Sequence, residues 1–176
     1  MEEAAVRIGI NGTRRELTVP ARELLLDTLR DRLGLTGAKR SCDVQVCGTC
    51  TVLVDGEPVS SCTYLTCDAD GREVLTIEGF ARSDEFAQFE RAFVDRAALQ
   101  CGFCTPGFML TLKALRDAGE LRDRDDVIAG LDGNVCRCTG YKSIVEAAEA
   151  LAGEPAPAAA EARAGGAAAS GSRDAA

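Results

Sequence analysis

Nine cysteines and no histidine limit the chemistry that this 176-residue sequence can perform. Four of the cysteines, Cys42, Cys47, Cys50 and Cys62, are separated by four, two and eleven residues. Thiolates are soft ligands that bind zinc and iron–sulfur clusters, and three of them in one short loop can hold most of a metal site. The fold must then bring Cys62 back to that loop.

Four further cysteines follow as two close pairs. Cys101 and Cys104 have two residues between them, and Cys136 and Cys138 have one. Both pairs are predicted in turns beside helices, where backbone N–H groups can hydrogen-bond to sulfur. Cys67 is left over, and we interpret it as a small apolar core residue without a ligand role.

The spacing of the first set matches the ligand pattern of plant-type [2Fe–2S] proteins and predicts one such cluster. The second set allows two interpretations, another [2Fe–2S] cluster or a zinc ion with four cysteine ligands. We favour the cluster, because a Cys-x-Cys pair fits the usual zinc spacings poorly and a cluster is already indicated upstream.

Composition excludes several classes of function. Without histidine there is no Ser-His-Asp or Cys-His catalysis, no Rieske centre and no Cys/His zinc finger. The net charge of −8 disfavours nucleic-acid binding. The N-terminus lacks a basic region followed by an apolar core, and no apolar run has the length of a membrane span. We therefore expect a cytoplasmic protein whose cysteines stay reduced.

The first half of the chain is predicted to be a small sheet crossed by one helix. Asn11-Gly12 and Asp55-Gly56 are hairpin signals, and the second hairpin returns Cys62 toward the cysteine loop. Leucines at helical spacing predict a helix that ends at Gly34. Strands are expected over 5–10, 14–19, 51–54, 58–62 and 73–77, and the helix over 21–33.

The second half is predicted to be helical. Phe86, Phe89 and Phe93 recur at helical spacing and indicate a core stripe. The next helix is expected to start with Thr105 as its N-cap and Pro106 in its first position. Two more helices are expected over 125–131 and 143–151.

These patterns predict an α+β protein in two domains. An N-terminal β-grasp, ferredoxin-like [2Fe–2S] domain covers residues 1–80, and an all-α four-helix [2Fe–2S]-binding domain covers 81–152. Residues 153–176 are rich in alanine and glycine and are predicted to be a disordered tail without chemistry.

Three segments in order resemble the iron–sulfur subunit of the molybdenum hydroxylases. This family includes xanthine dehydrogenase, aldehyde oxidoreductase and aerobic carbon monoxide dehydrogenase, and the resemblance covers roughly Val6 to Leu151. The segments are Cys42-x4-Cys47-Gly48-Thr49-Cys50-Thr51-Val52-Leu53-Val54-Asp55-Gly56, Gln100-Cys101-Gly102-Phe103-Cys104-Thr105-Pro106-Gly107 and Asn134-Val135-Cys136-Arg137-Cys138-Thr139-Gly140-Tyr141.

The resemblance implies that the chain holds two [2Fe–2S] clusters. One lies nearer a flavin and the other nearer a molybdopterin. Gln100 matches a glutamine that hydrogen-bonds to the pterin in this family, and Cys138 matches the ligand closest to it. The implied ligands are Cys42, Cys47, Cys50 and Cys62 for the first cluster and Cys101, Cys104, Cys136 and Cys138 for the second.

The implied function is electron transfer within an oxidoreductase complex. A molybdopterin-binding large subunit would hydroxylate the substrate, and electrons would pass through this chain to FAD on a medium subunit, in a dimer of heterotrimers. Two other classes stay open: a free-standing ferredoxin-type carrier and a zinc-stabilised interaction module. The substrate is selected on a partner, so this sequence does not define it.

Two residues depart from the family pattern around the first ligand. Ser41 and Gln45 stand where the family suggests glycines. A serine there also suits plant-type ferredoxins. Gln45 strains the loop if its φ angle is positive; otherwise its effect is on the exposure and potential of the cluster.

Overall fold

The computed structural model describes residues 2–153, and its chain begins with a regular hairpin. Strand β1 (Glu3–Ile10) pairs antiparallel with β2 (Thr13–Pro20). Asn11 and Gly12 connect them with φ angles of 53° and 77°. Two successive positive φ values are what a type I′ turn requires, so the predicted Asn-Gly turn is confirmed.

Three more strands complete a mixed five-stranded sheet with the order β2-β1-β5-β3-β4. The β1–β5 pair is parallel, and the other pairs are antiparallel. The second hairpin stops before Cys62, which was predicted at the end of a strand, so this cysteine lies in the turn beyond. The strands are β3 (Thr51–Val54), β4 (Glu57–Ser60) and β5 (Glu73–Leu75).

The helix that crosses the sheet is shorter than the sequence indicates. Helix α1 (Leu25–Asp27) continues as a π-helical turn, Thr28–Arg32, whereas the prediction began at residue 21. Leu24 forms an isolated antiparallel bridge with Leu65, which keeps its backbone extended and delays the helix. The predicted apolar stripe is otherwise correct, because Leu25, Leu26 and Leu29 are fully buried.

The rest of the described chain is helical. The last strand ends two residues earlier than predicted, because Thr76 is the N-cap of α2 and Ile77 is its first residue. Cys104, not Thr105, occupies the N-cap position of α4, without a side-chain capping bond. Asp123 caps α5 by accepting the N–H groups of Asp125 and Asp126. The helices are α2 (Ile77–Phe80), α3 (Phe86–Asp95), α4 (Thr105–Asp117), α5 (Arg124–Gly130) and α6 (Lys142–Gly153).

Two apolar clusters form the core, and both border the cysteine loops. One lies within the sheet part and includes Cys50 and Cys62. The other unites the helices, contains Phe89 and Phe93 from the predicted stripe, and reaches Cys136. The α+β prediction is confirmed; the exact division at residue 80 stays a prediction, and the predicted tail lies outside the described residues apart from Gly153.

Candidate metal centres

The first cysteine set converges as predicted. Cys42, Cys47 and Cys50 lie in the loop before β3, and Cys62 returns from the turn after β4. The side chains interact in two pairs, Cys42 with Cys47 and Cys50 with Cys62. The turn that follows the hairpin therefore supplies the fourth thiol of this site.

Backbone N–H groups surround the first sulfur. The Val46 N–H donates to Cys42 Sγ at 3.4 Å. Hydrogen bonds from the N–H groups of Val44 and Val46 lower the pKa of Cys42 to about 6, well below that of a free thiol. By contrast, burial raises the pKa of Cys50 to about 11. The exposed end of this loop is thus built to stabilise negative charge on sulfur.

The second set also converges, again in two pairs. Cys101 Sγ and Cys138 Sγ lie 3.5 Å apart, and the side chain of Cys104 interacts with that of Cys136. Burial raises the pKa of Cys104 to about 12, whereas the Phe103 N–H lowers the pKa of Cys101. The turn before α4 and the turn before α6 therefore build one site.

A compact set of hydrogen bonds shapes the turn that carries Cys136. Thr139 Oγ1 donates to Cys136 Sγ at 3.1 Å, and Tyr141 Oη accepts the Cys136 N–H at 3.0 Å. The Tyr141 ring contacts the Phe108 ring edge-on, with centroids 6.4 Å apart. Tyr141 holds a φ of 69°, which is costly for a bulky residue and is maintained by these contacts.

The two cysteine sets lie against one another. The Val135 N–H donates to the carbonyl oxygen of Cys47 at 3.0 Å, so a residue adjoining a second-set cysteine binds a first-set cysteine directly. Gly107 of α4 lies so close to Gly48 that a Cβ atom on it would be 2.1 Å from the Gly48 carbonyl oxygen. Helix α4 and the first cysteine loop thus meet without side chains between them.

Each set fits the ligand requirement of a [2Fe–2S] cluster. Such a cluster takes four thiolates, two for each iron, and each site brings four thiols together as two pairs. Within residues 2–153, no three His, Cys, Asp or Glu side chains are close enough together to share one metal ion, so the thiols of each set are arranged as pairs and not as a closed shell around one ion. N–H and hydroxyl donors at the sulfurs suit the negative charge of a thiolate-bound cluster.

Comparison with known proteins agrees with both sites. Residues 8–76 match the family model of the 2Fe-2S iron-sulfur cluster binding domain, and residues 76–149 match that of the [2Fe-2S] binding domain. The chain is 43% identical over 146 residues to the nicotine 6-hydroxylase small subunit of Paenarthrobacter nicotinovorans, covering 83% of this chain and 88% of that one. It is 38% identical over 148 residues to the xanthine dehydrogenase iron-sulfur-binding subunit of Escherichia coli O157:H7, covering 82% and 91%.

The chain belongs to the iron–sulfur subunits of the molybdenum hydroxylase family. Its fold agrees with the solved structure of quinoline 2-oxidoreductase from Pseudomonas putida 86, with a TM-score of 0.80 and 38% identity over 86% of this chain and 95% of that one. This molybdenum hydroxylase subunit therefore carries two 2Fe-2S-binding domains, the ferredoxin-like one first and the helical one second. It is an iron–sulfur electron-transfer component of the oxidoreductases of this family.

The iron–sulfur subunit presents part of its second site to solvent. Cys101 and Cys138 are exposed, and so is Gln100, which lies in the bend after α3. Gln100 lies in the linker between α3, which ends at Asp95, and α4, which begins at Thr105. Its pterin-binding role stays a prediction.

Among residues 2–153, no helix is both long and apolar enough to cross a membrane.

Two other predictions about single residues have structural outcomes in this subunit. Gln45 has a φ of 60°, so the strain that its side chain would bring to the loop is present. Cys67 lies in a short 3-10 turn (Thr66–Ala69), and its thiol donates to the Ala21 carbonyl at 3.5 Å. It is only half-buried, so its description as a core residue was wrong, and its hydrogen bond goes to Ala21 and not to a cysteine of either set.

Sequence reasoning missed the residues that join the two sites. Val135 and Gly107 look like ordinary loop and helix residues, and only the tertiary contact reveals them. Lys39 reaches over the Phe103 ring, which lies between two second-set cysteines, with its Nζ 5.7 Å from the ring centroid. The position of Phe103 inside the Cys-x-x-Cys pair was the available signal.

Proposed function

We propose that this subunit carries single electrons from the molybdopterin centre of a large subunit to FAD on a medium subunit, by way of two [2Fe–2S] clusters. The direct contact between the two cysteine sets, the Val135 N–H to Cys47 carbonyl hydrogen bond, is the observation that carries this proposal. When bound, each cluster accepts and releases one electron. The chain's own residues hold the two sites against each other through the Val135–Cys47 hydrogen bond and the close approach of Gly107 to Gly48.

The proposed ligands are the eight converging cysteines. The loop before β3 and the turn after β4 would hold the first cluster, and the turns before α4 and α6 would hold the second. Cys67 is left without a ligand role. The ligands are Cys42, Cys47, Cys50 and Cys62 at the first site and Cys101, Cys104, Cys136 and Cys138 at the second.

The exposed rim of each site supports a direction for the relay. At the second site Cys101, Cys138 and Gln100 face solvent, and we assign this rim to the molybdopterin, with Gln100 hydrogen-bonding to the pterin. At the first site Val44 and Val46 are 64% and 61% exposed beside Cys42, and we assign this rim to the flavin subunit. These two valines offer apolar contact area to a partner at this rim.

The organisation of the whole complex follows as part of the same proposal. Residues 1–80 and 81–152 would act as the two cluster domains of a small subunit in a cytoplasmic dimer of heterotrimers. Relatives named as small or iron-sulfur-binding subunits support a separate chain that assembles with larger partners.

Iron and acid-labile sulfide per chain, measured on anaerobically purified protein, test the cluster assignment. About four of each are expected for two [2Fe–2S] clusters. About two of each would remove the second site, and zinc without sulfide would overturn the proposal. Co-purification of flavin- and molybdenum-containing subunits separates a complex from a free-standing ferredoxin.

A Gln100→Ala variant tests the pterin assignment. We expect slower electron transfer from the molybdenum subunit with iron and sulfide content unchanged. Asp95→Ala, at the exposed end of α3, is the matched control. Unchanged subunit binding and unchanged electron transfer in Gln100→Ala would remove this residue from the site.

A further inference from the structure

Lys39 places a positive charge at the boundary between the two cysteine sites. Its Nζ donates to the Gly37 carbonyl at 2.9 Å and lies 5.7 Å from the centroid of the Phe103 ring. Phe103 belongs to the turn between Cys101 and Cys104. Lys39, a residue of the first domain, thus makes a cation–π contact with the ligand turn of the second domain.

The Lys39 side chain is partly buried, and within residues 2–153 it forms no salt bridge. Burial lowers the pKa of Lys39, and the nearby Arg30 adds to this effect. Among residues 2–153, no carboxylate lies within 4 Å of its Nζ; Glu78 acts from further away, and its oxygens accept the Gly37 N–H and the Thr76 hydroxyl. Its positive charge therefore interacts with the Phe103 ring and the ligand turn and is not neutralised in an ion pair.

The backbone of Lys39 is anchored to the first site. The Lys39 N–H donates to the Thr49 carbonyl at 2.9 Å, and Thr49 Oγ1 donates to the Lys39 carbonyl at 3.1 Å. Thr49 Oγ1 also lies 3.3 Å from Cys47 Sγ. These bonds fix the backbone from which the Lys39 side chain extends, and the Gly37 carbonyl and the Phe103 ring then hold its ammonium.

We infer that Lys39 is a positioning residue whose ammonium holds the Phe103 turn against the first domain and raises the reduction potential of the second-site cluster. This inference rests on the proposed electron relay. Reduction adds one negative charge to a thiolate-bound cluster, and a fixed cation nearby stabilises the reduced form more than the oxidised one. In a relay from the second site to the first, such a charge adjusts how readily the second site accepts an electron.

Reduction potentials measured by redox titration with electron paramagnetic resonance test this role. The full chain, with any subunits that accompany it, is compared as wild type, Lys39→Met, Lys39→Gln and Lys39→Arg, with Arg91→Met as a control for loss of a distant exposed charge. A Cys62→Ser variant, which alters only the first site, assigns the two signals. We expect both neutral variants to shift the second-site potential to more negative values, and Lys39→Arg and Arg91→Met to stay near wild type.

Other outcomes of these titrations would contradict the role of Lys39 or the proposed function. Unchanged potentials in Lys39→Met and Lys39→Gln, or a shift confined to the first site, would overturn the inference. An equal shift in Lys39→Arg would show that packing, not charge, is responsible. If Lys39→Met and Lys39→Gln both lost the second-site cluster while Lys39→Arg kept it, Lys39 would be needed for cluster binding. That result would also reject the proposed effect on the reduction potential. If the wild-type protein contained neither cluster, the proposed function itself would be rejected.

Discussion

The N–H group of Val135 donates a 3.0 Å hydrogen bond to the carbonyl oxygen of Cys47. Val135 precedes Cys136, so a single hydrogen bond joins the ligand loops of the two proposed cluster sites. Gly107 and Gly48 touch at the same junction. The two sites are therefore parts of one rigid contact, and changes at the junction should affect both.

Gly107→Ala is expected to destabilise the junction. A Cβ atom at residue 107 would lie 2.1 Å from the Gly48 carbonyl oxygen, a backbone atom that cannot rotate away. We expect a loss of about 1–3 kcal/mol in the free energy of unfolding, even though alanine is the better helix former. Denaturant unfolding of the full chain measures it.

Gly133→Ala is the matched control, since a Cβ atom there would meet nothing within 4 Å. Its free energy of unfolding and its iron content should stay close to wild type. An equal loss of stability in the two variants would contradict the close contact between α4 and the first cysteine loop.

Gln45→Gly is expected to stabilise the chain. Gln45 has a φ of 60°, and glycine adopts this left-handed conformation without the steric cost that a side chain brings. After subtracting the greater chain entropy of glycine in the unfolded state, we expect a gain of about 0.5–1 kcal/mol. Thermal unfolding measures this gain. Gln45→Ala is the control and should show no such gain, because alanine also has a Cβ atom. If Gln45→Ala were stabilised as much as Gln45→Gly, the positive φ angle would not be the cause.

Glu23 should make folding stability depend on pH in the acid range. Hydrogen bonds from the Arg32 guanidinium, at 2.6 Å to each carboxylate oxygen, and from the Thr28 hydroxyl hold the pKa of Glu23 below its usual 4.5. The stabilisation is therefore complete above about pH 4.5 and is lost as the pH falls through the lowered pKa of the folded state.

Glu23→Gln should be less stable than wild type at pH 7, and the difference should narrow as the pH falls below 4.5. Urea midpoints measured across this range provide the comparison, with the exposed Glu16→Gln as control. A difference between Glu23→Gln and wild type that is independent of pH would mean that the charge on Glu23 contributes nothing.

Thr139→Val is expected to lower the reduction potential of the second site. The valine removes the hydroxyl that donates to Cys136 Sγ at 3.1 Å, and a sulfur with fewer hydrogen bonds favours the oxidised cluster. One hydrogen bond of about 1 kcal/mol corresponds to a fall of about 40 mV. Thr139→Ser keeps the hydroxyl and should retain the potential; equal potentials in all three proteins would assign the bond no electronic role.

Local patterns in the sequence predicted much of this protein. Asn11-Gly12 and Asp55-Gly56 gave the two hairpins, because their positive φ angles are local backbone preferences. Short cysteine spacings indicated both metal sites, since ligand chemistry depends on residue type and on loops of a few residues. The start of the first helix was wrong because a bridge from Leu24 to Leu65 overrides the local preference.

The sequence by itself therefore determined the order of most helices and strands, the thiol chemistry and the family, whereas the tertiary structure decided how the two sites meet. Cys47 and Val135 are distant along the chain, and so are Lys39 and Phe103. No local preference encodes such contacts; they arise when the sheet and the helices bury their apolar faces together and bring glycine backbones into contact. The link between the sites, and the charge beside it, is a property of that packing.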